Sequence, residues 1–398
     1  MGKNKMKKKS FLSKSLGTLL LLLIALGATA QDADYICHRG ALTNAFTRFT
    51  QEKKGCVAFL GGSITEMKGW RESVQADLQR RFPDTEFQFI DAGISSLGST
   101  PHAFRFQHDV LDQGTPDLLF LEAAVNDATN GFSRELQIKS MEGIIRHALD
   151  VNPMMDIVMM HFAYDEFIPQ YTRGEVPATI TTHEQVAEHY GITSLHLAQE
   201  IAHRIAAGEL TWETFGGTHP APLGHTYYAA AIGKVFDRTL QQMDGTAVRQ
   251  LHALPKPLDG KSFAKGKQIP VSAAKKLKGF AVDEDWNPDD RLEKRRQFVH
   301  IPVLCADEAG ASLSLTFKGT AIGIFCEAGP QTGVITYTID GGLRRTLDTY
   351  TEWSNQLYLP FIYMLDSNLR PGRHKLKLQV EEGDRTGLQI VYFAVNGK

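Results

Sequence analysis

Three side chains with the makings of acyl-transfer chemistry stand at comparable places in this 398-residue chain. Ser63 lies in Gly61-Gly62-Ser63-Ile64-Thr65, directly after the apolar run Val57 to Leu60. Asn126 lies in Ala124-Val125-Asn126-Asp127, directly after Leu118 to Leu121. His219 stands late, in Thr218-His219-Pro220. A serine hydroxyl becomes a nucleophile when a neighbouring imidazole takes its proton. Singly, each motif is ordinary. Gly-Gly-Ser is common turn chemistry, Asn-Asp commonly caps helices, and a histidine before proline is common on surfaces. Their joint occurrence, in this order, carries the reading.

The elements that must position them follow from hydrophobic patterning. Val57 to Leu60, Phe87 to Ile90, Leu118 to Leu121 and Ile157 to Met160 read as buried strands. Amphipathic stretches at Trp70 to Arg81, Pro101 to Leu111 and Arg134 to Asp150 separate them, and a last helix is expected from Leu223 to Met243. Alternation of this kind predicts an α/β fold, a parallel sheet with helices on both faces. In such sheets ligands bind beyond the carboxyl ends of the strands. Ser63, Asn126 and the polar segment Asp91 to Ser99 all fall there.

The stretch 251–274 changes character, with Pro255, Pro257, Gly260, Gly266 and Pro270, and reads as a connection. Beyond it the period becomes two. Leu313, Leu315 and Phe317 alternate with polar residues, as do Ile335, Tyr337 and Ile339, then Leu376, Leu378 and Val380, then Leu388, Ile390 and Tyr392. With a hairpin turn at Asp340-Gly341-Gly342, this predicts an all-β sandwich over 275–398.

The ordered blocks over Cys56 to Met243 resemble the SGNH (GDSL-like) hydrolases. That resemblance implies a flavodoxin-like three-layer αβα domain over 31–250. It implies Ser63 as nucleophile and His219 as base and then acid. The implied oxyanion donors are the Ser63 N–H, the Asn126 amide and a backbone N–H in the second block. Departures from the family pattern matter. Gly62 replaces the family's Asp beside the serine, and Ala124 replaces a glycine. Ser96 stands where the family has glycine, with Gly98 close by. Gly216 occupies the place of the acid three residues before His219, so Glu213, Glu122 and Asp165 are the substitutes to examine, beside a bare Ser–His dyad.

Other motifs point elsewhere less well. His183-Glu184 begins like a zinc-protease motif, but Ala187 stands where the second histidine belongs. Thr65 breaks the Gly-x-Ser-x-Gly elbow. Arg105 and Glu122, in apolar surroundings, are expected to pair. Tyr350, Trp353 and Tyr358 either stack on a sugar or fill the sandwich core. No metal or organic cofactor is implied.

The N-terminus has six lysines by position 14, an apolar core Leu16 to Leu26 and the small-residue site Ala28-Thr29-Ala30. This is the layout of a signal peptide over 1–30, so the mature chain is expected to be exported, periplasmic or extracellular, without stable membrane insertion. Cleavage removes those six lysines and no acid. The formal charge therefore moves from −2 to −8, which does not indicate a basic nucleic-acid-binding face. Export permits disulfides, with Cys37–Cys56 and Cys305–Cys326 as one pairing; a buried free thiol at Cys56 is the alternative. The resemblance, with a β-sandwich appended, implies a secreted serine esterase acting on acyl (acetyl) groups of a saccharide or on another small ester. The rival readings are a carboxylate-based glycoside-cleaving enzyme on the same fold and an inactive glycan-binding protein.

Overall fold

The computed structural model describes residues 35–397 and, at the start, Met1 alone. The expected signal peptide therefore lies outside the described residues. No helix among them is long and apolar enough to cross a membrane.

The four apolar runs form strands. Val57 to Leu60, Leu118 to Leu121 and Ile157 to Met160 are covered on both faces, as a parallel sheet between helix layers requires, while the edge strand through Phe87 to Ile90 leaves Gln88 exposed. The strands are β1 (Ile36–Cys37), β2 (Lys54–Gly61), β3 (Glu86–Gly93), β4 (Leu118–Glu122), β5 (Asp156–Met160) and β6 (Thr193–Leu195). Their order is β1-β6-β5-β4-β2-β3, all parallel except the antiparallel edge strand β1. The helices that matter for the site are α1 (Ser63–Glu66), α2 (Trp70–Arg81), α3 (Ser99–Phe106), α4 (Ala124–Thr129), α5 (Arg134–Val151), α6 (Ala178–His189), α7 (Trp212–Phe215) and α8 (Pro222–Gln242). Phe59 on β2 and Phe120 on β4 stack at 5.2 Å, and Trp70 of α2 meets Phe59 edge-on at 5.5 Å. Full burial of each such ring contributes about 1.5–3 kcal/mol. This packing fixes the strand end that carries Ser63.

The C-terminal region is all β, in two antiparallel sheets. One contains β7 (Gly266–Pro270), β9 (Ala281–Asp283), β10 (Val303–Ala306), β12 (Ala321–Ala328), β15 (Leu359–Asp366) and β17 (Leu388–Asn396). The other contains β8 (Lys275–Lys278), β11 (Ser312–Gly319), β13 (Val334–Ile339), β14 (Arg345–Asp348) and β16 (Gly372–Val380). The hairpin between β13 and β14 has Asp340 and Gly341 at φ 56° and 73° in a turn closed by Gly342 N–H to Ile339 O. Positive φ at both central residues is the turn whose twist suits a hairpin.

Two expectations change. The stretch 251–274 includes a strand, because β7 pairs with β17, and Phe263 is fully buried against Phe104. Its prolines and glycines punctuate a packed segment. All four cysteines are free thiols. Cys37 Sγ lies 3.3 Å from His196 Nε2 instead of facing Cys56, whose thiol burial pushes up to about 12. The C-terminal sheet also shares a hydrophobic cluster with the first region, where Phe325, Ile362 and Tyr392 join Phe104, Ile138 and Met141.

Candidate active site

Ser63 is the second residue after the β2 end, at the head of α1. The short helix is closed by Glu66 N–H to Gly62 O at 2.9 Å and pinned by Trp70 Nε1 to Ile64 O at 2.9 Å. His219 sits in the tight loop between α7 and α8, where Ala221 N–H reaches back to Phe215 O at 2.8 Å. These two anchors bring His219 Nε2 to 2.8 Å from Ser63 Oγ across 156 residues. Both are open to solvent in part, Ser63 half-buried and His219 exposed.

Asn126 lies beside Gly62, four residues past the end of β4. Its side-chain Oδ1 lies only 2.0 Å from where a Cβ on Gly62 would stand. Gly62 therefore makes room for the amide beside Ser63, which accounts for the absence of a side chain at 62.

The third wall is the turn after β3, closed by Leu97 N–H to Ile94 O at 3.3 Å. Ser96 occupies its third position with φ 72°, a conformation glycine takes freely and other residues take at about 1–3 kcal/mol. Asn130 Nδ2 donates to Ser96 O at 3.0 Å, and Arg295 Nη2 donates to Ser96 Oγ at 3.0 Å. Gly98 follows as the N-cap of α3. A hydroxyl bonded to an imidazole, facing an amide and a turn of backbone N–H groups, is an arrangement able to attack a carbonyl and hold the resulting oxyanion.

Residues 59–227 match the family of GDSL-like lipases and acylhydrolases. This segment is a GDSL-like lipase/acylhydrolase domain. It places the chain among ester-hydrolysing enzymes. A search of the curated proteins finds no match. Among solved structures, the chain is similar to a two-domain esterase (CEX) active on acetylated mannans, co-crystallised with mannopentaose. There the TM-score is 0.74 at 20% identity, covering 92% of this chain and 97% of that one. A second structure of a two-domain esterase active on acetylated mannans gives 0.75 at 21% identity, covering 92% and 98%. At these identities the likeness is one of fold, an SGNH-like α/β domain followed by an all-β region.

Within the GDSL-like domain the place of the usual acid is closed. Gly216 has φ 106°, and a Cβ there would lie 2.0 Å from Ala221 N. No carboxylate side chain fits on that backbone. The three substitutes are all engaged elsewhere. Glu213 is exposed and takes its own N–H and the Thr211 hydroxyl, which hold its carboxyl below the usual range. Asp165 accepts Trp212 Nε1 at 2.5 Å. Glu122 is buried beneath the loops, where it accepts N–H groups of Val125, Gly62 and Ala124; burial nevertheless pushes its carboxyl up to about 7. Among the described residues no carboxylate pairs with His219. Nor does Arg105 pair with Glu122. Its guanidinium goes to Asp109 at 2.7 Å and to the carbonyls of Ala92 and Gly61.

A second histidine cluster lies further along the same sheet edge, and of its histidines only His183 was noticed in the sequence. His161 and His196 follow the ends of β5 and β6. His161 Nε2 meets Glu184 Oε1 at 2.7 Å, and His183 Nε2 meets Asp127 Oδ2 at 2.9 Å. Burial holds the His161 imidazolium down to about 4. Cys37, Glu184 and His196 bring one donor atom each within 4.8 Å of the others. Arg39 Nη2, however, is 2.6 Å from Glu184 Oε2 and already supplies the positive charge there. Asp127 Oδ1 accepts Ser99 N–H at 2.6 Å, so the buried carboxylate beside Asn126 ties the head of α3 to α6. The signal for it was the Asp of Asn126-Asp127, legible only as a cap.

Proposed function

We propose that this chain is an exported serine esterase that removes acyl groups, acetyl foremost, from carbohydrate. The observation that carries it is the 2.8 Å hydrogen bond between Ser63 Oγ and His219 Nε2 at the mouth of the sheet. His219 takes the hydroxyl proton as Ser63 attacks the ester carbonyl. The oxyanion is met by the Ser63 N–H, the Asn126 amide and backbone N–H groups at Ser96 and Gly98. His219 then returns the proton to the departing sugar oxygen as its bond to the carbonyl carbon breaks, and water, activated by His219, deacylates the enzyme. With Gly216 in place of the acid, the pair works as a dyad. Removing the acid is the mildest loss in a triad, about 3 × 10⁴ against 2 × 10⁶ for the serine or histidine. The similar two-domain esterases support acetylated mannan as the first substrate to try. Export rests on the basic and apolar N-terminal sequence.

The glycoside-cleaving reading finds less support. Glu122 is buried under backbone N–H groups and Asp165 is held by an indole, so neither flanks an open cleft as a pair. The test is labelling with a fluorophosphonate, mapping the adduct, and assaying Ser63→Ala on aryl acetate and acetylated mannan. An adduct on Ser63 and loss of esterase activity in the variant support the proposal. An unlabelled Ser63 with full activity in Ser63→Ala overturns it.

A further inference from the structure

The turn that carries Ser96 is gripped from the C-terminal region. Arg295 Nη2 donates to Ser96 Oγ at 3.0 Å although the two residues are 199 positions apart. Two residues on, Gln297 Nε2 donates to Glu66 Oε1 at 2.8 Å. The other oxygen of Glu66 accepts the Ser95 N–H at 2.8 Å and the Ser95 hydroxyl at 2.5 Å. Both residues of the turn are thus tied to one short strap, Ser96 directly and Ser95 through Glu66.

The strap is itself anchored in the sandwich. Tyr358 N–H donates to Glu293 O at 2.9 Å, and Lys294 Nζ lies 5.1 Å from the centre of the Tyr358 ring. Phe298 packs on Phe325 of β12 at 5.1 Å. Between these fixed points Arg295 is aimed at a residue held at φ 72°. Glycine at 96 would take that conformation unaided but would offer the strap nothing to hold. Serine resists the conformation and supplies a hydroxyl through which it can be enforced.

We propose that Arg295 is a positioning residue for ester hydrolysis: by holding Ser96 in the left-handed conformation it aims the Ser96 and Gly98 backbone N–H groups, so the β-sandwich completes the oxyanion hole. The proposal rests on the esterase reading above and adds a role for the second region that needs no contact with the sugar.

The experiment is a double-mutant cycle read on a small aryl acetate, with wild type, Arg295→Ala, Ser96→Gly and the double variant. Arg295→Ala is expected to lower kcat about 10- to 100-fold, a part of what loss of an oxyanion donor costs, with KM within about twofold. In the Ser96→Gly background the same replacement is expected to change kcat by less than about threefold, because glycine needs no enforcement. An equal loss in both backgrounds overturns the proposal. So does a normal kcat for Arg295→Ala on aryl acetate with a raised KM only on acetylated oligosaccharide, which is the signature of a sugar contact. Should Arg295→Ala not fold, Gln297→Ala carries the same cycle through Glu66. Hydrogen exchange separates this inference from the reading it rests on. Amides 95–97 are expected to exchange at least about tenfold faster in Arg295→Ala while those at 57–60 are unchanged, and unchanged exchange at 95–97 overturns the clamp whether or not Ser63 turns over esters.

Discussion

Two histidines near the same sheet edge have been given opposite surroundings. His219 is exposed, bonded through Nε2 to the Ser63 hydroxyl at 2.8 Å, and has no carboxylate partner among the described residues. His183 is fully buried, bonded through Nε2 to Asp127 at 2.9 Å, and has no hydroxyl to activate. The two halves of a Ser–His–Asp relay are therefore both present, but on different imidazoles. The difference teaches that a carboxylate beside a histidine does not by itself mark a catalytic base. Access to a nucleophile and to solvent-borne substrate does. A buried His–Asp bond instead ties α4 to α6 and, through Ser99, to the start of α3.

The sharpest break of this comparison is to remove each imidazole in turn. His219→Ala is expected to lower kcat/KM on aryl acetate by about 10⁴- to 10⁶-fold with an unchanged urea midpoint. His183→Ala should leave Asp127 Oδ2 buried without its hydrogen-bond partner, at about 1–3 kcal/mol of stability in urea unfolding. If His183→Ala keeps its stability but loses turnover as fully as His219→Ala, the roles assigned to the two sites are reversed. Asn126→Ala comes next, with an expected loss of about 10²- to 10³-fold in kcat and little change in melting temperature. A change in KM alone would move Asn126 from the oxyanion to the substrate.

Much of the first site was legible because chemistry and patterning coincide there. Ser63 and Asn126 each follow an apolar run that is a buried strand, so their place at strand ends could be read from hydropathy. Ser96 was legible as a position that should be glycine, and its φ of 72° gives the reason. Of the second cluster, His161 directly follows the run Ile157 to Met160 and stood at a legible strand end, but His196 did not. β1 and β6 have two and three residues, too short for any period, so His196 had no strand end to mark it. β12 is buried along all eight residues and shows no alternation. The strap through Arg295 depends on a contact across 199 residues, which no local pattern encodes. Nor could the three carboxylates proposed as acids be ranked, since their partners are backbone N–H groups, the Thr211 hydroxyl and an indole, brought to them by the fold.

Gly216→Asp sharpens the comparison from the other side, because it writes the missing acid into the family's position. The expected result is no gain in kcat and a loss of about 1–3 kcal/mol in stability. The φ of 106° and the 2.0 Å approach of the new Cβ to Ala221 N leave the carboxylate no relaxed place. A rise in kcat at unchanged stability would mean that the α7–α8 loop yields easily and that the dyad is a tuned-down triad.

The smallest effect concerns the carboxylate that the Ser63 side does possess. Glu122 is fully buried and its carboxyl is pushed up to about 7 by burial, against the pull of the Val125, Gly62 and Ala124 N–H groups and with a further push from Asp127. Between about pH 4.5 and pH 7 the unfolded chain releases this proton while the native chain keeps it. Stability should therefore be fullest below about pH 4.5 and fall as pH rises through 7, by at most about 3 kcal/mol from this group. Glu122→Gln cannot ionise, so its unfolding free energy minus that of the wild type should rise with pH across the window. Glu327, buried and also held well above the usual carboxylate range, adds a slope of the same sign. It is common to both proteins and cancels in the difference. A flat difference curve would mean that the N–H groups beneath Ser63 already keep Glu122 ionised. Its charge would then stand under the nucleophile across the whole range.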